Sequence, residues 1–330
     1  MKPVQKIMLT RRSGKHLIEL SDQTWSTPLV TGTDDGESLI VLADRGGELA
    51  AYDGSSLDVV WKVNLGAVVT ASPVDVGGQD DERGVIIGTE AGRVVRVNLR
   101  NGQLQWERNC GTCVRATAAV IEHPGGPRVF IGGYGAWMYC LDAASGAIIW
   151  KKYLPKQEYF GGTKSGVVSS PLVADVDLDG ELEVVTGTRS RRVYCLSAET
   201  GQFKWFYETG YDPDSSPSFA VVDGMPLVFI GAGETTSGFG DKSVYALAGD
   251  TGAVYWRTRV QGGLDSSPVI ADINKDGRPE VVITSLADAS CYALDAATGG
   301  LVWQYRFGPT EACHHDDDNV CRKSGATRYY

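Results

Sequence analysis

Basic residues are scarce: 31 lysines and arginines stand against 41 aspartates and glutamates in 330 residues, a net charge of −10. Neutralising phosphates needs a basic surface, so this balance argues against a general nucleic-acid partner and favours cations or basic protein patches. Long apolar runs are missing too. No stretch of about 18 apolar residues is available to span a bilayer, and the opening MKPVQKIMLTRRSGKHLIEL is too polar for a signal core. A soluble, cytoplasmic chain without a membrane span is expected. Prolines number only 13 while 42% of residues are hydrophobic, the composition of a globular protein with a large core rather than of a disordered one. Seven cysteines are an odd number in a chain too large to need staples, which argues against a full disulfide framework. There is no Ser-His-Asp nucleophile motif, no phosphate loop and no nicotinamide fingerprint.

What the chain does have is internal repetition. LDAASGAIIW, LSAETGQFKW, LAGDTGAVYW and LDAATGGLVW share an apolar residue, a polar-Gly turn and a Trp four residues after the Gly, with weaker copies in VNLRNGQLQW and YDGSSLDVVW. The tryptophans are Trp61, Trp106, Trp150, Trp205, Trp256 and Trp303, spaced by 45, 44, 55, 51 and 47 residues. Twelve residues after Trp61, Trp205 and Trp256 comes a Pro in ASP or SSP, then an alternating run such as PLVADV and a second strand such as EVVTGT. Four short strands per repeat, bounded by Gly or Asp turns, predict a β-propeller rather than a helical solenoid. Residues 1 to about 22 and about 307 to 330 together make close to one further repeat. With the Gly of IMLTRRSGKHLI in register, Ile18 falls where Trp205 sits. The expectation is one all-β domain over 1–330 with seven four-stranded blades, the last built from both chain ends so that no sheet edge is left open. Six blades with loose tails is the alternative.

The LDAxTGxxxW pattern resembles the PQQ-binding-like, or quinoprotein-like, β-propeller repeat over most of residues 24 to 305. Such repeats occur in quinoprotein dehydrogenases and in BamB-like assembly lipoproteins. The dehydrogenases it resembles carry an adjacent-cysteine disulfide over the quinone, and this chain has no Cys-Cys pair; the resemblance thus argues for the fold and against PQQ.

Two stretches have cation-loop spacing. DVDLDGELE supplies Asp175, Asp177, Asp179, Glu181 and Glu183; DINKDGRPE supplies Asp272, Asn274, Asp276, Arg278 and Glu280. Oxygen side chains at positions 1, 3, 5 and 9, a backbone carbonyl at 7 (Glu181, Arg278) and Gly at 6 are what calcium, with six to eight oxygen ligands, requires. The spacing also looks like the FG-GAP loops of integrin-type propellers. The bland alternative is an Asp-rich turn held by side-chain to backbone hydrogen bonds.

The last repeat departs from the pattern in CHHDDDNVC. Counting twelve from Trp303 reaches His315, the place of Pro217 and Pro268, so Cys313 and His314 replace Ser-Ser at the head of an innermost strand. The third repeat departs at its matching entrance with NCGTCVRAT, Cys110 and Cys113. Cys110, Cys113, Cys313, His314 and His315 are candidate ligands for zinc, iron or copper, with Asp317 or Cys321 completing the set. Local pairing, Cys110 with Cys113 and Cys313 with Cys321, is the competing picture, and so is a solvated tail. Cys140 and Cys195 align with Ala246 and Ala293 as small core residues, with Cys291 similar. Aromatics Trp25, Tyr159, Phe160 and Tyr211 gather at the same entrances. Two functions follow: a calcium-stiffened propeller presenting an acidic, aromatic-rimmed channel mouth to a protein or small-molecule ligand, or a metalloenzyme of oxidoreductase or hydrolase type using the Cys/His/Asp site.

Overall fold

The computed structural model describes residues 6–11, 14–32, 36–78, 82–155, 166–233, 241–264, 266–285 and 288–307. It adds the backbone of three short strands, His314–His315, Cys321–Lys323 and Ala326–Arg328; for residues 6–17 and beyond 307, only the backbone is described. Among the described residues there is no helix. Six antiparallel sheets of four strands follow one another, each with its strands side by side in chain order. Sheet 1 runs from Leu29–Gly32 to Val59–Asn64, sheet 2 from Val74–Asp75 to Leu104–Asn109, and sheet 3 from Ala119–Ile121 to Ile148–Tyr153. Sheet 4 runs from Leu172–Ala174 to Phe203–Glu208, sheet 5 from Ser218–Val222 to Val254–Arg259, and sheet 6 from Val269–Ala271 to Leu301–Arg306. The arrangement is consistent with a β-propeller. The chain divides into two compact units, Met1–Tyr153 with sheets 1 to 3 and Leu154–Tyr330 with sheets 4 to 6.

Each unit buries its apolar residues between consecutive sheets. In sheet 4 the second strand, Glu183–Thr188, is buried at all six positions, and the third, Arg192–Ser197, at its four central ones. Such strands are buried on both faces, so side chains on either face are apolar or small instead of alternating with exposed polar ones. The cores lie between sheets 1 and 2 (Val41, Leu49, Ile87, Val97), 2 and 3 (Ile86, Val94, Ile131, Leu141), 4 and 5 (Val185, Val193, Val228, Leu247), and 5 and 6 (Phe229, Val244, Val281, Leu294).

The Gly and Trp of the repeat meet across these cores. Trp61, Trp106, Trp205 and Trp256 donate Nε1–H to the carbonyls of Leu99, Ala143, Gly249 and Ala296, at 2.8, 2.9, 2.6 and 2.9 Å, each in the turn of the following sheet. On that turn sit Gly102, Gly146, Gly252 and Gly299, all with φ near +70°. A β-carbon there would lie 2.4 to 2.6 Å from Cε3 of the indole. Left-handed backbone and indole contact both demand glycine at this point, while the indole buries a large apolar face and satisfies its one donor. Every fourth strand also slips register just before its Trp, so that one extra residue bulges: Lys204 in sheet 4 and Val302 in sheet 6. Bulges re-aim side chains, which decides the chemistry described below.

Ahead of sheet 1, Lys6–Arg11 pairs with Gly14–Glu19 in a hairpin. Ile18 is buried against Leu42, Ala50 and Tyr52 of sheet 1, the kind of seat a repeat Trp takes on the next sheet. Trp303 is 38% exposed, against 7% for Trp61 and Trp205 and 8% for Trp256. His314–His315 pairs with Cys321–Lys323, which pairs with Ala326–Arg328; residues 316–320 between them lie outside the described residues. Among the described residues no helix is long and apolar enough to cross a membrane.

Candidate cation-binding loops

The two acidic loops connect the first and second strands of sheets 4 and 6 and share one backbone. Leu178 and Lys275 have φ of 62° and 63°, Gly180 and Gly277 of 93° and 90°. In both, the first Asp accepts from the Gly amide: Gly180 N to Asp175 Oδ2 at 3.0 Å and Gly277 N to Asp272 Oδ2 at 2.9 Å. The closing glutamates are tied back identically, Glu183 Oε2 to Val176 N and Glu280 Oε2 to Ile273 N, both at 2.9 Å. Glu181 and Arg278 lend their amides to Asp179 and Asp276, leaving their carbonyls for the role expected of position 7.

Between sheets 4 and 6 the loops differ in what faces the carboxylates. In sheet 4 carboxylate oxygens of Asp175, Asp177 and Glu183 lie within 4.8 Å of one another, and Asp175 Oδ1 is buried without a partner. The bulged Lys204 reaches into this cluster: its Nζ stands 2.8 Å from Asp177, 3.0 Å from Asp179 and 2.6 Å from Glu183. An ammonium has three donors, and here it meets three carboxylates. Burial works against its charge, but bonds to Asp177, Glu183 and Asp179 outweigh burial and hold the Lys204 pKa above its usual value. Burial raises the Glu183 carboxyl, with Lys204 opposing. In sheet 6 the equivalent bulge is Val302. There the Asn274 amide nitrogen bridges Asp276 Oδ2 and Glu280 Oε1, each at 2.9 Å. One loop carries a resident cation and the other a neutral amide.

Cys110 is 6% exposed within the core between sheets 2 and 3, and its carbonyl accepts from Tyr139 Oη at 3.0 Å. Burial pushes its thiol up to about 11. Burial also raises the Cys113 thiol, with Arg115 opposing. Both are free thiols. Cys313 and Asp317 lie outside the described residues, and of His314, His315 and Cys321 only the backbone is described. Cys140 and Cys195 are fully buried on third strands, opposite Trp150 and Trp205.

Trp25 and Tyr211 both carry arginines. The guanidinium of Arg45 stands 4.1 Å over the Trp25 ring, that of Arg191 5.0 Å over Tyr211, and that of Arg115 5.3 Å over Tyr134. Arg115 also pairs with Glu90 at 3.0 Å. Tyr159 and Phe160 lie outside the described residues.

A hydroxyl relay escaped the sequence reading. Thr27 N donates to Ser72 Oγ and Ser72 N to Thr117 Oγ1; in the second unit Ser170 N donates to Ser216 Oγ and Ser216 N to Ser267 Oγ. Each distance is between 2.8 and 3.2 Å. The signal was present: all six positions hold Ser or Thr, the residue counted as His314 in the last repeat.

The family model described as outer membrane protein assembly factor BamB, of the PQQ repeat type, matches residues 90–234 and 212–319. The chain belongs to this family. Among solved structures, the BamB-type fold is shared with BamB from Moraxella catarrhalis at 19% identity, covering 97% of this chain and 90% of that one with a TM-score of 0.64. It is shared too with a europium-containing methanol dehydrogenase at 12% identity, covering 92% and 77%, TM-score 0.64. A curated relative, the polyvinylalcohol dehydrogenase of Sphingopyxis sp. (strain 113P3), is 36% identical over 131 residues, 39% of this chain and 17% of that protein. The chain spans less than half the length of the curated relatives it matches. With dehydrogenases of this repeat type among its relatives, the exclusion of PQQ drawn from the missing Cys-Cys pair is not supported.

Proposed function

We propose that this BamB-type chain is a calcium-stabilised propeller of seven sheets that binds a protein or small ligand through the loops at the heads of its first strands. The cation half rests on one observation: the 272–280 loop repeats the backbone of 175–183, its Asn274 amide links Asp276 and Glu280, and Val302 stands at the bulge that Lys204 holds in sheet 4. Asp272, Asp276 and Glu280, with the Asn274 carbonyl oxygen and the Arg278 backbone carbonyl, are the hard-oxygen set calcium takes. A europium-containing relative of the same fold supports a hard cation in such a framework.

The binding half is supported by the arginine-on-aromatic pairs Arg45–Trp25 and Arg191–Tyr211, because Trp, Tyr and Arg are the residue types that dominate interfaces. The likeness to an assembly factor favours a protein partner. Residues about 1–22 and about 307–330 are assigned to the seventh sheet, supported by the seat of Ile18. The metalloenzyme reading ranks second, since Cys110 lies buried in the core between sheets 2 and 3.

Melting of the metal-stripped full chain with and without calcium tests the cation half. A rise in Tm that Asp272→Ala cancels is expected, and an unchanged Tm removes the reading. For the binding half, a photo-cross-linker replacing Trp25 or Tyr211 is expected to give a discrete adduct, and a lack of adducts at both positions overturns it.

A further inference from the structure

Sheet 2 inverts the charge of the corner that sheets 4 and 6 fill with carboxylates. Its second strand, Gly84–Gly88, begins with Gly84, which pairs with Asn98 where Glu183 and Glu280 pair with Ser197 and Asp295. The closing glutamate of the loop has become glycine. On the third strand, the residue opposite the repeat Trp is Ala51, Cys140, Cys195, Ala246 or Ala293 in five sheets, each fully buried. In sheet 2 it is Arg96, still only 7% exposed.

The two exchanges are coupled in space. A β-carbon on Gly84 would stand 2.2 Å from Arg96 Nε and 2.8 Å from Gln105 Oε1, so the missing side chain makes room for the guanidinium. Gln105 is the bulged residue of its fourth strand, the place of Lys204. Arg96 Nη1 donates to Ala143 O at 2.8 Å and Nη2 to Glu82 O; both acceptors are neutral carbonyls, and Nε is buried without a partner. Beside it opens a cavity of about 360 Å³ lined by Gly77, Gly78, Glu82, Arg96, Gln105 and Pro127 among others. That volume is at the small end of ligand pockets. A buried charge without a hydrogen-bonded carboxylate is costly, and five sister sheets close their cores without it.

We propose that this cavity binds a small monocarboxylate, which accepts from the Arg96 Nε–H and the Gln105 amide. Guanidinium to carboxylate is the strong charge-assisted pairing. Glu82 at the rim disfavours multiply charged anions such as phosphate, and the glycine and proline walls leave space for a short apolar tail. The inference does not depend on calcium in the other loops.

The test is titration of the full chain with propanoate, followed at the Arg96 Nε–H resonance by ¹⁵N-correlated NMR, with inorganic phosphate and propylamine as comparisons. Propanoate is expected to shift that resonance saturably while the other two do not. Arg96→Ala installs the residue other sheets use, so the chain is expected to fold, and propanoate shifts at neighbouring Gly77 and Gly78 amides should weaken roughly 10-fold to 100-fold, the range for losing a charged hydrogen bond. Gln105→Ala, on an exposed residue, is the second variant should the first misfold, with several-fold weakening expected. No saturable shift in the wild type, an equal response to phosphate, or undiminished binding in both variants overturns the proposal; a loss of stability in Arg96→Ala with no propanoate response in either protein leaves Arg96 a clamp on Ala143 and overturns it too.

Discussion

The loops of sheets 4 and 6 carry one signature and one backbone, yet one holds an ammonium and the other does not. Lys204 and Val302 occupy the same bulge, about twenty residues beyond the loop each one faces. Ligand spacing, then, specifies where oxygens converge; what they converge on is set by a residue on another strand. A motif read along the chain finds the cup and misses its contents.

The largest expected effect comes from emptying the first cup. Lys204→Met leaves Asp177, Asp179 and the fully buried Glu183 facing one another without their ammonium, and should lower stability in EDTA; urea melts should recover much of that loss in calcium, and equal curves with and without calcium would show that this loop cannot take the ion. Next, calcium at a hundred times its Kd should stabilise the wild type by about 2.7 kcal/mol if one loop fills. Asp272→Ala should remove this gain and Asp175→Ala should not; the reverse pattern would break the comparison. Third, Val302→Lys places an ammonium before the second loop and should raise stability in EDTA by at most about 1 kcal/mol, as part-exposed pairs do, while abolishing the calcium response on calorimetry. The smallest effect concerns pH. Burial raises the Glu183 pKa above 4.5, so the folded chain holds that proton longer than the unfolded one, and stability from this group falls as pH rises from 4.5 through the raised value. Glu183→Gln should remove that decline in melts across this window.

How much could be read in advance depended on where the partners of each residue lie. Gly and Trp of the repeat were legible because most copies carry both halves of the same contact, Leu57 standing in for the glycine in the first, and Cys140 and Cys195 because small residues recur opposite the Trp. The cation loops were legible as backbone, since Gly at position 6 and Asp at position 1 make local bonds. Lys204 was not, because bulge direction is a property of paired strands. The hydroxyl relay runs between repeats, one hydrogen bond each, and leaves no stronger trace than a recurrent Ser or Thr. Arg96 shows as a misfit only once strand register makes it the counterpart of Ala and Cys. The Arg45–Trp25 and Arg191–Tyr211 stacks required both unlike residues to be placed in three dimensions. The expected convergence of Cys313, His314 and His315 with Cys110 and Cys113 falls on side chains outside the described residues.

The joint between sheets has an evolutionary consequence. A segment running from just after one repeat Trp to the next contains a glycine turn that seats the preceding indole and an indole to be seated by the following turn. Duplicating that segment of 44 to 55 residues, the range of the intervals here, copies a plug together with its matching socket, and the new sheet docks on both sides without any new contact having to be selected first. Deletion of such a segment rejoins an old plug to an old socket just as directly. Sheet number can therefore drift by whole units while the seats of the indoles stay the same, and a surviving copy is free to lose its loop carboxylates or gain an arginine, as sheet 2 has, without the array losing its grip.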